Sequence, residues 1–246
     1  MEPVGEMQVS DDDRQGKTVV VLQPSYLPWL GFFDQMRRSD VFVYYDDVQF
    51  DKHGWRNRNR IKSPTGPVWL TVPIRLHGLG GPKILDTTID NSTPWARKHV
   101  GTMRQFYGRA PHVNRYLPEL EEMLHRQWSY LIDLDLAVTD LLRRWLGITT
   151  LITRASTIDV TGSKTERLAK LCCHFGSSRY LSGDSAKNYL DTDLFAQHKI
   201  SVEWQDYHHP VYPQLHGVFV SHLSVLDLLF NCGDESGTIL QQGSRM

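Results

Sequence analysis

Two short apolar runs, Val19 to Leu22 and Val41 to Tyr45, set the narrowest limits on what this chain can fold into. Each is rich in β-branched or aromatic residues and too short for a helix, so both read as buried parallel strands. Between them lies Gln23-Pro24-Ser25-Tyr26-Leu27-Pro28-Trp29-Leu30-Gly31, a turn, and then a helix from Phe32 to about Arg38. Strand, turn, helix and strand make a βαβ unit. In such units ligands bind beyond the carboxyl ends of the strands, where backbone N–H groups and helix N-termini converge.

Both strands end in polar clusters. The first runs into Gln23, Tyr26 and Trp29, with Pro24 and Pro28 stiffening the turn and removing two backbone donors. The second ends in Asp46-Asp47-Val48-Gln49, which puts two carboxylates and an amide on one rim. Then comes His53-Gly54-Trp55-Arg56-Asn57-Arg58-Asn59-Arg60-Ile61-Lys62. If it is extended, its period of two sets Arg56, Arg58, Arg60 and Lys62 on one face and Asn57 and Asn59 on the other. Guanidinium forks suit phosphate or carboxylate, and Trp55 could stack on a base or sugar. The plainer reading is a solvated edge strand whose charges discourage aggregation, with Asp46, Asp47 and Asp51 as salt-bridge partners.

From Thr93 to Phe106 and from Leu117 to Leu146 the apolar residues recur at helical spacing, predicting a helical insertion or subdomain over about residues 93–147. Thr93 before Pro94 suits a helix start, and Gly147 a helix end. The last third returns to alternation. Leu151–Ile152, Tyr180–Ser182 and Ile200–Trp204 read as strands, Ser163–Cys173 and Leu190–His198 as helices. The expected fold class is therefore α/β, a mostly parallel, Rossmann-like sheet with helices inserted in its middle. With 246 residues, 40% of them hydrophobic, the chain can bury a substantial core. The organisation expected is a disordered tail over residues 1–17 and one α/β domain over 18–246.

A formal charge of −1 argues against a general nucleic-acid coat, though not against a local basic face. No apolar run approaches the roughly 18 residues a membrane span requires. The acidic N-terminal segment lacks the apolar stretch of a secretory signal. Three cysteines, two of them the adjacent Cys172 and Cys173, suggest no disulfide framework and fit a cytoplasmic protein. Cys172 and Cys173 read as small hydrophobes on a helix rather than as metal ligands, since consecutive ligands point around the helix.

Further candidates lie downstream. Gly183 to Tyr189, with Ser185 and Tyr189, follows a strand and could cradle a phosphate through backbone N–H groups, although it lacks the spacing of known phosphate loops. Tyr207, His208, His209, Tyr212 and Gln214 crowd around Pro210 and Pro213, an inventory suited to orienting a substrate or supplying a base. His208, His209 and His216 could suggest a metal, but the adjacent pair would have difficulty facing one ion, so acid–base or binding roles are preferred and no metal is expected. Lys98 and His99 share an early helical turn. Asp227, in an apolar helix, is either a helix charge partner or the buried orienter of a histidine.

These segments together resemble the WbqC-like family of bacterial and archaeal proteins. The similar stretches are Gln23 to Gly31, Asp40 to Gln49, Asn57 to Lys62, Trp69 to Pro73, Trp95 with Lys98 and His99, Tyr180 to Gly183 with Tyr189, Tyr207 to Gln214, and Leu223 to Asn231 with Gly233. The resemblance runs from about Thr18 to Ser236. Departures are small: Arg56 stands where Gln is common, and Cys232 and Asp234 vary the closing segment. Membership implies a biosynthetic enzyme acting on sugars or other small metabolites, as expected of proteins first noticed in clusters for surface polysaccharide synthesis. A looser likeness, in the first strand and its proline turn, is to nucleotidyltransferases that bind ATP over a His-x-Gly-His turn. Those histidines are absent here.

The leading expectation is thus a cytoplasmic transferase that attaches an acyl or aminoacyl group to an amine or hydroxyl of a small metabolite such as an amino sugar or nucleoside. In it Gln23, Tyr26, Trp29, Asp46, Asp47, Gln49 and Asn57 would hold the acceptor or its proton. Arg58, Arg60, Lys62 and Lys98 would balance phosphate charge, and His99 or His209 would move protons. The donor would be activated by ATP with Mg²⁺, for which Asp46 and Asp47 would be the ligands, or arrive as a thioester or aminoacyl-tRNA. The alternative is a non-catalytic binding protein for a nucleotide-linked sugar or for tRNA.

Overall fold

Valine-rich runs are stable only where both faces of a strand are covered, and β1 (Thr18–Leu22) and β2 (Val41–Tyr44) occupy that position. The computed structural model describes residues 16–52, 54–75 and 81–244. The expected tail lies outside them except for its last two residues, and so does His53. β1 and β2 pair in parallel, Val19 opposite Val41 through Leu22 opposite Tyr44. With β7 (Leu151–Arg154), β8 (Arg179–Ser182) and β9 (Ser201–Trp204) they form a five-stranded, all-parallel sheet in the order β7-β2-β1-β8-β9. This is the expected Rossmann-like α/β fold.

Successive side chains of a strand point to opposite faces, and two separate cores follow from that. Val20, Phe42, Tyr44 and Leu181 pack into the larger one, with residues of α1 (Leu30–Arg37), α2 (Trp95–Tyr107), α3 (Val113–Leu124), α4 (Leu131–Trp145) and α7 (Val225–Cys232). Val19, Val21, Val41, Val43 and Tyr180 pack into the other, with α5 (Lys164–His174) and α6 (Thr192–Gln197). The three middle helices thus share the hydrophobic cluster of one sheet face.

The expected helix from Leu117 to Leu146 is two helices, α3 and α4. The chain between them lies against the short strand β6 (Thr88–Ile89): Ile89 N–H donates to Ser129 O at 2.9 Å and Leu131 N–H to Thr87 O at 2.9 Å. Those bonds hold residues near 130 extended, so the apolar spacing continues while the backbone breaks. The Thr93 hydroxyl makes no cap bond, and α2 begins after Pro94. Gly147, at φ +70°, closes α4 in the left-handed conformation expected of it.

The basic segment does not join the main sheet. Its strand β3 (Arg58–Ser63) forms an antiparallel hairpin with β4 (Gly66–Thr71), Arg60 opposite Trp69 and Lys62 opposite Pro67. β5 (Ile74–Arg75) pairs with β6, and α8 (Ser236–Gln242) packs near α1. Among the described residues no helix is long and apolar enough to cross a membrane.

The sheet's order makes unequal demands on its strands. Phe42→Ala, at a fully buried position of β2, is expected to destabilise the protein by about 3–5 kcal/mol. Leu151→Ser, on the edge strand β7 with the side chain 62% exposed, should change stability by no more than about 0.5 kcal/mol. Urea unfolding of both variants checks this, and comparable losses would contradict the strand order.

Candidate functional site

Counted in chain order the five sheet strands read 3-2-1-4-5, so the order reverses between β1 and β8. Beyond the carboxyl ends of strands at such a reversal the connections depart in opposite directions and leave a crevice. A crevice of about 500 Å³ opens at that point. Gln23, Ser25 and Trp29 line it from the β1 turn, Gln35 from α1, and Ser182 to Ser185 from the end of β8. Gln205, Tyr207 and His222 close one side, and Trp55 and Arg56 another.

The proline turn is shaped by the segment that leads into the β3–β4 hairpin rather than by itself. Ser25 Oγ donates to Trp55 O at 2.6 Å and Tyr26 N–H to Arg56 O at 3.0 Å. Arg56 Nη1 donates to Pro24 O at 3.1 Å and Asn59 Nδ2 to Leu27 O at 2.7 Å. These bonds hold Leu27 at φ 47°, a conformation rare for a branched side chain. The Trp29 indole folds back over Gly31, where an added Cβ would lie 2.2 Å from the ring, so the small residue makes room for the aromatic one.

Two amides are set from beneath. Asp34, fully buried, accepts from Arg37, Arg38, Ser244 and Gln205. Gln205 Nε2 donates to Asp34 Oδ2 at 2.9 Å and to Gly31 O at 2.7 Å, leaving its Oε1 to accept from Gln35 Nε2 at 2.8 Å. A buried anion thus fixes which way each amide faces. His222 stacks on Trp29 at 5.2 Å and 23°, with Ser221 Oγ 2.8 Å from its Nδ1. Burial, and then the charge of Arg60, push the His222 imidazole below its ordinary value, so it is neutral near pH 7. His209, 5.4 Å away, is lowered mainly by burial, against the opposing bond of Pro210 O.

Of the residues singled out from sequence, the crevice gathers Gln23, Trp29, Trp55, Arg56, Ser185, Tyr189 and Tyr207. The others stand elsewhere. Asp46 is fully buried and accepts from Arg154 Nε at 2.6 Å, Ser156 N–H at 3.0 Å and Ser156 Oγ at 2.7 Å. Asp47 takes both guanidinium ends of Arg167; burial raises its carboxyl, but that bond and charge outweigh burial and hold it low. The Asp46 and Asp47 oxygens are therefore engaged by arginines and do not fit the role of Mg²⁺ ligands. Among the described residues no group of three or more His, Cys, Asp or Glu is placed to hold a metal ion.

Gln49 is exposed beside Lys83, and Lys98 is exposed on α2. Asn57 is buried, Nδ2 bonding Val72 O at 2.8 Å. Lys62 is buried too, its Nζ donating to Gln214 Oε1 at 3.0 Å and Val218 O at 2.6 Å. Tyr212 lies buried near Asp227, which accepts from Tyr107 Oη at 2.7 Å; Asp227 serves this buried network and orients no histidine. Arg58 and Arg60 lie over indoles. The anion comb therefore divides: the period of two holds, but Arg56 turns to Pro24 O and Lys62 is covered. Tyr26 and His99 pair inside the core, Tyr26 Oη 3.0 Å from His99 Nδ1.

Sequence reasoning missed Gln35, Gln205 and His222. A signal existed for two of them: Gln35 interrupts the apolar run Leu30 to Met36, and Gln205 directly follows a strand. Nothing in the irregular stretch before His222 marks it.

The model of the WbqC-like protein family matches over residues 23–239. An uncharacterized protein of Mycobacterium tuberculosis is 38% identical over 227 residues, covering 92% of this chain and 98% of that protein. No solved structure matches the chain.

His99 gives a test of core against catalytic placement. Burial lowers its imidazole from 6.5 to about 4, the Thr71 backbone bond opposing the shift. The unfolded chain therefore binds more protons between those values, so this stability is whole above about pH 6.5 and is lost as the pH falls toward 4. The loss should amount to about 3 kcal/mol, and His99→Gln should flatten it. Urea unfolding across that pH range checks the sign, and an unchanged slope in the variant would assign it to other groups.

Proposed function

The chain belongs to the WbqC-like protein family, and from that premise and the crevice geometry we propose that it is a biosynthetic transferase acting in the cytoplasm. It passes an acyl or aminoacyl group to an amine or hydroxyl of a small polar metabolite, such as an amino sugar or nucleoside, held in the crevice. The observation that carries this reading is what faces the reversal point. The flat rings of Trp29, Trp55 and Tyr207 stand beside the amides of Gln23 and Gln35, with the carboxylate of Asp184, ion-paired to Lys187 at 2.5 Å, at the rim. Aromatic rings suit the faces of a sugar or base, preset amides read hydroxyls, and a carboxylate favours an amine. A volume of about 500 Å³ fits one metabolite of that size.

His222 takes the proton-moving role here. Its neutral ring can accept the proton of the attacking amine or hydroxyl as the new bond to the donor's carbonyl carbon forms. The bond from that carbon to the donor's sulfur or oxygen then breaks, and the departing group takes the proton back. Gln35, fixed through Gln205 by Asp34, positions the acceptor. With three cysteines, two of them adjacent, the sequence suits a reducing compartment.

The test has two stages. Amino sugars and nucleosides are screened by thermal unfolding, where a ligand at a hundred times its dissociation constant adds about 2.7 kcal/mol. The acceptor found is then supplied with acyl thioesters and aminoacyl-tRNA, and the product is followed by mass. His222→Gln is expected to lower kcat by about 10²–10⁴ while the KM for the acceptor is kept. A variant that changes acceptor affinity alone would favour a non-catalytic carrier. If no metabolite stabilises the protein, the reading fails.

A further inference from the structure

The β3–β4 hairpin and the segment leading into it present two indoles to solvent beside the crevice. Trp55 is 40% exposed and Trp69 46%, their rings 5.1 Å apart at 39°. Large aromatic side chains grouped at the surface are uncommon without a ligand or partner. Directly opposed residues of an antiparallel pair share a face, so Arg60 and Trp69 stand together with Arg58 two residues along. The Arg58 guanidinium lies 4.6 Å over the Trp69 ring, and that of Arg60 lies 5.5 Å from Trp55 and 5.7 Å from Trp69. Flat rings alternate with fixed positive charges.

This platform is continuous with the crevice. Trp55 belongs to both, and Arg60 Nη2 donates to His222 O at 3.3 Å. A group extending out of the crevice past Trp55 would meet Trp69 next. A base can stack on an indole whatever its identity, and guanidinium forks match phosphate oxygens. With a net charge of −1 the chain has no broad field to hold a long nucleic acid, so recognition would be local, about one nucleotide in size.

We propose that the Trp55–Trp69–Arg58–Arg60 platform is the donor site: it binds the terminal adenine nucleotide of the group-carrying donor, base on the Trp69 indole and phosphate on Arg58 and Arg60, with the carried carbonyl reaching the crevice past Trp55. This deepens the transferase reading and rests on it. An adenine nucleotide terminus belongs both to a coenzyme-type thioester and to the 3′ end of a charged RNA.

The experiment is calorimetric titration of the full chain with adenosine 3′,5′-bisphosphate and, separately, with a single-stranded ribo-oligonucleotide ending in adenosine. It is repeated at raised salt and in Trp69→Ala, Trp69→Phe and Arg58→Gln. Binding that weakens about tenfold or more in Trp69→Ala, is largely kept in Trp69→Phe, and loses part of its salt dependence in Arg58→Gln supports the proposal. Preference for the bisphosphate assigns the thioester source and preference for the oligonucleotide the RNA source. Thermal unfolding of each variant shows that it is folded. Binding equal in wild type and Trp69→Ala, or no binding of either probe, overturns the platform, while acceptor stabilisation and the His222→Gln kinetics judge the crevice reading separately.

Discussion

The turn after β1 carries two prolines and no hydrogen-bond ladder of its own, and the site depends on what holds it. That holder is the segment from Trp55 to Asn59, which leads into the β3–β4 hairpin. Trp55 O and Arg56 O accept from the turn, while Arg56 Nη1 and Asn59 Nδ2 donate to it. The asparagines of the Asn-Arg-Asn-Arg run therefore have a physical task different from that of the arginines between them. Asn57 and Asn59 point inward and splint loop carbonyls, and the arginines face outward because the strand alternates. Tying the turn to a separate hairpin lets a crevice wall be built without lengthening the sheet.

Carboxylates that look reactive in the sequence close the other half of the sheet instead. Asp46 fastens the end of β2 to Arg154 and Ser156 at the end of β7, and Asp47 fastens it to Arg167 on α5. Breaking either pair by removing one partner would leave a partly buried charge without compensation, the costly direction for such pairs. Asp34 does the same work under α1, but its anion is passed on through Gln205 to Gln35 and so reaches the crevice as oriented dipoles rather than as charge. The rim is thus kept nearly neutral, as suits a polar metabolite better than a polyanion.

Much of the fold was legible because parallel strands buried on both faces are written as short apolar runs, and β1 (Thr-Val-Val-Val-Leu) and β2 (Val-Phe-Val-Tyr) are such runs. The reversal of strand order was not legible, since it depends on which side of β1 each later strand joins, and no local residue carries that information. The break between α3 and α4 was hidden for a similar reason: Leu120, Leu124 and Leu131 keep helical spacing while β6 holds the chain between them extended. Within the site, Trp29 and Tyr207 announced themselves by type. His99 and Asp47 did so equally, and only burial and partners separate a histidine bonded to Tyr26 in the core from one stacked at a crevice wall.

One loop decides the two fates of the basic face. Lys62, two residues after Arg60, is buried because the chain from Gln214 to Val218 crosses it and takes its ammonium on Gln214 Oε1 and Val218 O, while Trp69 at the other end stays exposed. The same loop begins near Tyr207 and runs on to His222, so covering Lys62 and delivering two crevice residues are a single structural act. Arg60 then links the parts, since its guanidinium lies over both platform indoles and bonds the carbonyl of His222. A phosphate bound by Arg60 would compete with the His222 carbonyl for its guanidinium, which the structure joins to that carbonyl by one exposed bond of 3.3 Å. The platform indoles and the His222 backbone therefore share one side chain, Arg60.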